Sequence, residues 1–394
     1  MSTANANQST GRSLSSSIIA GLKPYMYRPL ETETKEIRLV QVVPSSKSWS
    51  EAGSTTGKIV FRMFRERLES PLQTKPVKYV GLSYAWGAKN APLRRVYVEE
   101  VGFASKDERN WTFIDIRENL FQFLWHFRDS ISNSSDTYIW IDQLCINQKD
   151  TSERNHQVQL MKCIYQGAHE VTTWLGSSPD LKEAAKRFCS YYYDFATTEY
   201  TKQMADDAVA VLLNDAYFSR LWIVQEVLLV RKVRVLCGIH WIEFFDLQQR
   251  GSGMREAVST CALYLIWDSL YNRSGAGRQL ATCIERYTSN QCEDPRDRLY
   301  GLLGLVQDTN CIEVDYARPV SVVFYDGVKA LYTEYYRDNG YFEGKTAGYV
   351  ATALKLAKNM EMPDNLLRKL RELEPTGDWI HRMAPLLSQW RWRP

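Results

Sequence analysis

The chain has 394 residues, with 49 basic and 46 acidic side chains and a net charge of +3, a balance that excludes the concentrated positive field of a nucleic-acid binder. Its eight cysteines form no CxxC pair and do not cluster with the five histidines, which argues against a zinc site or a disulfide framework and for reduced thiols in a cytoplasmic protein. With 44% hydrophobic and 12% aromatic residues the chain is a folded one, long enough for two units or one enlarged unit.

The first 24 residues open with "MSTANANQSTGRSLSSSIIA", a Ser/Thr/Asn-rich stretch that reads as a disordered tail and lacks the apolar core of a secretory signal. No apolar run approaches the ~20 residues needed to span a bilayer. "EIRLVQVV" (36–43) is β-branched and suits a strand, and "SSKSWSEAGSTTGK" (45–58) reads as a loop. "KYVGLSYAWG" (78–87) is a buried strand feeding a glycine loop. Residues 88–112 are polar and read as irregular, and "IRENLFQFLWHFRD" carries apolar residues at helical spacing.

"TYIWIDQLCINQ" (137–148) begins as a strand and turns polar at Asp142. Asp150, Thr151 or Ser152 then caps a helix whose stripe is Val158, Met161 and Tyr165. "VTTWLG" is a further strand, 181–213 is helical, "VRVLCG" (233–238) is again a strand, and the chain beyond residue 250 is mostly helical. Strands alternating with helices predict an α/β fold with a parallel sheet, in which ligands bind beyond the carboxyl ends of the strands. Tyr84, Trp86, Gly87, Asp142, Cys145 and Asn147 lie at or just after such ends. Trp86 and Gly87 also suit plain strand-end packing, and Asp142 suits a cap on the next turn. Cys145, with Asp142 near and His156 eleven residues on, invites a nucleophile reading against that of an inert buried thiol.

The segment "FSRLWIVQEVLLV" (218–230) poses the sharpest question, because on a helix Glu226 shares a stripe with Trp222 and Leu229. A carboxylate there loses hydration at a cost of several kcal/mol unless something compensates. The compensation is either an ion pair with Arg220 or Arg231, or a ligand.

"YVGLSYAWG", "YIWIDQLCINQKDTSERNHQVQLMKCIYQGAHEVTTWLG" and "FSRLWIVQEVLL" resemble, in order and spacing, the three hallmark blocks of the fungal heterokaryon-incompatibility (HET) domain. "YRPLETETKEIRLVQV" and "DPRDRLYGLLGLV…VDYARPV" resemble its flanks, so the likeness covers about residues 25–325. The resemblance implies a distant relation to TIR domains: a flavodoxin-like parallel sheet with flanking helices, whose enzymatic members cleave NAD at the nicotinamide–ribose bond. In those enzymes a glutamate stands four residues after a tryptophan on a helix following the third strand. Trp222 and Glu226 match that order; Ile223, where such enzymes commonly have Cys, and a long insertion depart from it.

The expected organisation is a tail (1–24), a TIR-like HET domain (25–245) and a helical region packed on it (246–394). The resemblance implies Glu226 as the catalytic carboxylate, with Tyr84, Trp86, Gly87, Asp142, Cys145, Asn147, Arg220 and Trp222 as substrate contacts. It implies NAD(P), or another nucleotide-type small molecule, as substrate, with no bound cofactor or metal, and an N-glycosidic cleavage serving regulated cell death. Self-association into a homo-oligomer is the partner expectation. Two rival readings remain open: a non-enzymatic self-associating module, and a specialised-metabolism enzyme using the same cleft on another small molecule.

Overall fold

The computed structural model describes residues 21–43, 58–68, 77–99, 111–130, 137–193, 199–271, 277–307, 312–339 and 346–372. Residues 1–20 of the expected tail, and all but Lys58 of the expected 45–58 loop, lie outside the described residues. Among the described residues ten strands form: β1 (Lys23–Pro24), β2 (Glu36–Val42), β3 (Val60–Arg67), β4 (Tyr79–Tyr84), β5 (Leu93–Glu99), β6 (Trp111–Arg117), β7 (Tyr138–Trp140), β8 (Glu170–Gly176), β9 (Val233–Cys237) and β10 (His240–Glu243). The chain divides into two compact units, the first made of Met1–Val80 with Trp86–Asn147, the second of Gly81–Ala85 with Gln148–Pro394.

In the first unit the strand order is β1-β6-β5-β3-β2-β7. β2, "EIRLVQV", is buried at every position but Gln41, which suits its β-branched and apolar composition to the middle of a sheet. Arg38 survives in that core because its guanidinium donates to the carbonyls of Cys145 (2.9 Å) and Arg28 (2.6 Å) and lies over the Tyr27 ring. Helix α1 (Glu118–Ser130) packs on β5 and β6 through Leu120, Phe123, Leu124 and Phe127, at the i, i+3, i+4, i+7 spacing of a buried stripe. The short helix α2 (Asp142–Cys145) follows β7.

The α/β class with flanking helices holds, and the first unit adds antiparallel pairs to the sheet. β2 runs antiparallel to β3 and β7, and β5 antiparallel to β6; only β3/β5 and β1/β6 are parallel in this unit. The segment read as irregular holds β5, in which the consecutive Val96, Tyr97 and Val98 are buried after the more exposed Leu93, Arg94 and Arg95. A buried run of three residues is a weak signal along the chain; pairing from Leu93↔Arg117 to Glu99↔Trp111 makes it a strand.

In the second unit β4 is followed in the sheet by β8, β9 and β10. β8 and β9 are parallel, as expected, with a bulge between Trp174 and Gly176. β9 turns into antiparallel β10 at Gly238, whose φ of +57° suits a residue without a Cβ. β10 ends this strand order, and its backbone is met by side chains: Glu243 N–H donates to the Tyr193 hydroxyl (3.1 Å) and the Cys189 thiol meets the Trp241 carbonyl.

Helix α3 (Thr151–Gly167) starts at Asp150, whose carboxylate accepts from Glu153 N–H (3.1 Å), one of the caps the sequence offered. The long helical stretch after β8 is two helices, α4 (Pro179–Tyr193) and α5 (Glu199–Leu213), packed on each other. Helix α6 (Ile223–Leu228) carries Glu226. The helices beyond are α7 (Phe244–Gly251), α8 (Thr260–Tyr271), α9 (Leu280–Tyr287), α10 (Asp297–Leu303), α11 (Val320–Asn339), α12 (Thr346–Asn359) and α13 (Asp364–Glu372).

The boundary expected after residue 245 falls inside the second unit, where α6 packs against α3, α8 and α10. Glu334 illustrates how this helical region is joined: its buried carboxylate accepts from Leu280 N–H (2.5 Å) and Ala281 N–H (2.9 Å) at the start of α9, where unpaired donors and the helix dipole favour an anion. No helix among the described residues is long and apolar enough to cross a membrane.

Candidate functional site

Glu226 is 4% exposed and lies on a helix whose six residues are all buried. Its carboxylate accepts a short hydrogen bond from the Ser83 hydroxyl, near the end of β4. Ser83 Oγ lies 2.5 Å from the Tyr217 hydroxyl, which lies 3.1 Å from Thr173 Oγ1 on β8. Each hydroxyl carries one proton, and that of Ser83 goes to Glu226, so Tyr217 donates to Ser83 and Thr173 donates to Tyr217. Three buried hydroxyls thus point their dipoles at one carboxylate. Burial first, and then the Glu226 charge, push the Tyr217 phenol well above its usual range, so it stays protonated as the chain requires.

The chain of donors predicts a measurable cost. Tyr217→Phe leaves Thr173 without its acceptor and Ser83 without its donor inside a dry core, and should destabilise the protein by ~1–3 kcal/mol in urea titration. Stability equal to that of the parent would mean the hydroxyls do not form a connected chain.

The residues around Glu226 are fixed from the other side by the segment "QCEDPRDRLYGLLGL" (291–305). Leu221 N–H donates to the Gln291 carbonyl (2.9 Å), Gln291 N–H to the Ser219 carbonyl (2.6 Å), and Gln225 Nε2 to the Tyr300 carbonyl (3.3 Å). Arg220, one of the two ion-pair partners considered for Glu226, directs Nη1 to the Tyr84 carbonyl, while the Tyr84 ring is buried. The Trp222 indole N–H donates to Asp297 Oδ2 (3.1 Å).

The remaining nominated residues belong to the first unit. Trp86 Nε1 donates to Asp142 Oδ2 (2.7 Å), and Asp142 Oδ1 accepts from Gln143 N–H (2.7 Å), so this carboxylate does cap the turn that follows β7. Gly87, at φ +81°, gives its carbonyl to Arg117 Nη1 (2.8 Å), whose guanidinium also lies 5.4 Å from the centre of the Trp86 ring. Cys145 is wholly buried, its sulfur accepts from Ile141 N–H (3.3 Å), and burial pushes its thiol up to about 12, which leaves no thiolate near neutral pH. His156, the partner considered for it, meets Gln157 on its own helix. Asn147 is half-buried.

Tyr84, Arg220, Trp222 and Glu226 therefore lie in the second unit, and Trp86, Gly87, Asp142, Cys145 and Asn147 in the first. A cavity of about 160 Å³ in the first unit, lined by Met26, Arg28, Arg38 and Arg65 among others, contains none of them. Among the described residues no group of three or more His, Cys, Asp or Glu is placed to hold a metal. Sequence reasoning missed Ser83, Tyr217 and Thr173. The available signal was a hydroxyl inside each of two apolar strands, "YVGLSY" and "VTTWLG".

Residues 79–226 match the family described as heterokaryon incompatibility protein (HET). The chain carries a HET domain. Strand β4 and Glu226 stand at the two ends of the match, so the hydroxyl chain described above joins its first block to its last. Among curated proteins the HET chain is similar to "Heterokaryon incompatibility protein 6, OR allele" of Neurospora crassa, with 25% identity over 303 residues. That alignment covers 60% of this chain and 44% of the Neurospora protein, so the chain spans less than half the length of this relative. No solved structure gives a significant match.

Proposed function

We propose that this HET-domain chain cleaves NAD(P) at the nicotinamide–ribose bond in the setting of heterokaryon incompatibility. The observation that carries the reading is Glu226, a carboxylate buried on a helix after β8 and held at one oxygen by a hydroxyl donor. A carboxylate fixed in this way suits an oxocarbenium-like state, whose positive charge it offsets without reorganising. Water adds to the anomeric carbon, the ring nitrogen takes the bonding pair and leaves as neutral nicotinamide, and one proton goes to solvent. Because the leaving group is already cationic, no strong general acid is needed. The incompatibility setting rests on the printed name of the Neurospora relative, and the TIR-like order of Trp222 and Glu226 supports the substrate class.

One observation favours the non-enzymatic module: Tyr264, Trp267 and Tyr271 on α8 are exposed at 39%, 46% and 62%, and the Trp267 and Tyr271 rings lie 4.6 Å apart. A thermal-shift screen separates the readings. A ligand at 100 times its Kd stabilises the fold by ~2.7 kcal/mol, so NAD, NADP or ADP-ribose should raise the melting temperature, with nicotinamide released from NAD on incubation. No shift with any nucleotide, together with concentration-dependent self-association, would favour the module instead.

A further inference from the structure

Of the "DPRDR" charges, Arg296 serves carbonyls and Asp294, and Arg298 takes the carbonyls of Thr288 and Asn290, both structural uses. Asp297 differs. It lies at the start of α10, is 7% exposed, and receives two donors on its two oxygens: the Trp222 indole on Oδ2 (3.1 Å) and the Tyr316 hydroxyl on Oδ1 (2.6 Å). Trp222 is the N-cap residue of α6, and its carbonyl accepts from Glu226 N–H (3.4 Å). Holding the indole therefore holds the first turn of the helix that aims Glu226. Tyr316 is itself pinned: its N–H donates to Asn155 Oδ1 on α3 (3.1 Å), and Arg154 lies over its ring at 4.2 Å.

We propose that Asp297 is a positioning residue for Glu226, acting as a two-oxygen clamp that fixes the Trp222 indole and with it the start of α6. The proposal rests on the reading of Glu226 as the reactive carboxylate, but the clamp itself can be observed without any activity. An indole N–H can only donate, so the clamp needs an acceptor on that side at all times. Asn can still accept from the indole at Oδ1 while its Nδ2 donates to the Tyr316 hydroxyl, so Asp297→Asn removes the charge alone, whereas Asp297→Leu removes both acceptors at similar volume. Ionisable groups around Asp297 leave a signature. Burial, helped by Asp294, raises its carboxyl to about 6, against the opposing effects of Tyr316, Trp222 and Arg154.

The test uses full-length protein with 15N-labelled tryptophan, the Trp222 indole signal being assigned from Trp222→Phe. That signal should titrate with a midpoint near pH 6, and the titration should vanish in Asp297→Asn. In Tyr316→Phe, which removes a donor that favours the ionised form, the midpoint should move up. Amide exchange of Val224–Leu228 should be about tenfold faster in Asp297→Leu, with α4 unchanged, and kcat for NAD should fall about tenfold at unaltered KM. An indole signal that is indifferent to pH and to Asp297→Leu, with α6 exchange in that variant as in the parent, overturns the clamp. A parent protein that consumes no NAD overturns the role of Glu226 and leaves the indole and exchange results to decide the clamp. If Asp297→Leu does not fold, the direction of the Tyr316→Phe midpoint decides: upward supports the clamp, unmoved refutes it.

Discussion

Glu226→Gln should lower NAD consumption by about 10²-fold or more while the protein still folds, a loss of ~2.7 kcal/mol of transition-state stabilisation. Gln has nearly the size of Glu and keeps an oxygen that can accept from Ser83, so the hydroxyl chain from Thr173 through Tyr217 retains its end point. What it lacks is the negative charge, the one property an oxocarbenium-like state requires of this side chain. The melting temperature of the variant should therefore stay near that of the parent. If the carboxylate is instead one half of a buried structural pair, removing it strands the partner charge and costs ~3–5 kcal/mol. Both quantities are to be measured on the same preparation. A stable, inactive variant supports the site; a variant that melts early, or one that consumes NAD at the parent rate, assigns Glu226 to the core.

Asp268→Asn should be the most damaging polar substitution in the helical region, at ~3–5 kcal/mol. Asp268 lies on α8 with its side chain 0% exposed, and it pairs with Arg286 and accepts from the Tyr287 hydroxyl, with Arg278 Nε at 3.8 Å. Burial raises the Tyr287 phenol and the adjacent Asp268 charge raises it further, so the hydroxyl keeps its proton and can donate. Asn removes a buried negative charge that offsets Arg286 and Arg278, both of which are themselves mostly buried. Urea unfolding monitored by circular dichroism would read the loss. A change below ~1 kcal/mol, the usual worth of an exposed pair, would show that water reaches this cluster.

Asp297 extends the same reasoning to pH. Its folded pKa of about 6 lies above the ordinary carboxylate value of 3.8, so the native state holds the proton more tightly than the unfolded chain. The stability linked to it is fully present below about pH 4 and is lost as pH rises through about 6, by ~3 kcal/mol for a shift of about two units.

Much of the architecture could be read along the chain because it is written in local periodicity. "EIRLVQV", "YIW", "VTTWLG" and "VRVLC" are strands where the β-branched and aromatic runs indicated them, and the helix after Asp150 begins at a cap that the residues advertise. The HET resemblance was likewise legible, because three long blocks agree in order and spacing and each block is contiguous. The antiparallel pairing of β5 with β6 was not, since Val96, Tyr97 and Val98 make too short a buried run among polar residues to stand out. Nor could the sequence say what meets Glu226. Its partner Ser83 is 143 residues away, Tyr217 stands 134 from Ser83, and Asp297 stands 75 from Trp222. Arg220 and Arg231 were the natural guesses because they are near in sequence; that the Arg220 guanidinium donates to the Tyr84 carbonyl, 136 residues away, was not readable there. Apolar periodicity is a property of neighbours along the chain, whereas the cost of burying a polar group is met by whatever atoms the fold brings within about 3 Å. Only the tertiary structure decides which atoms those are.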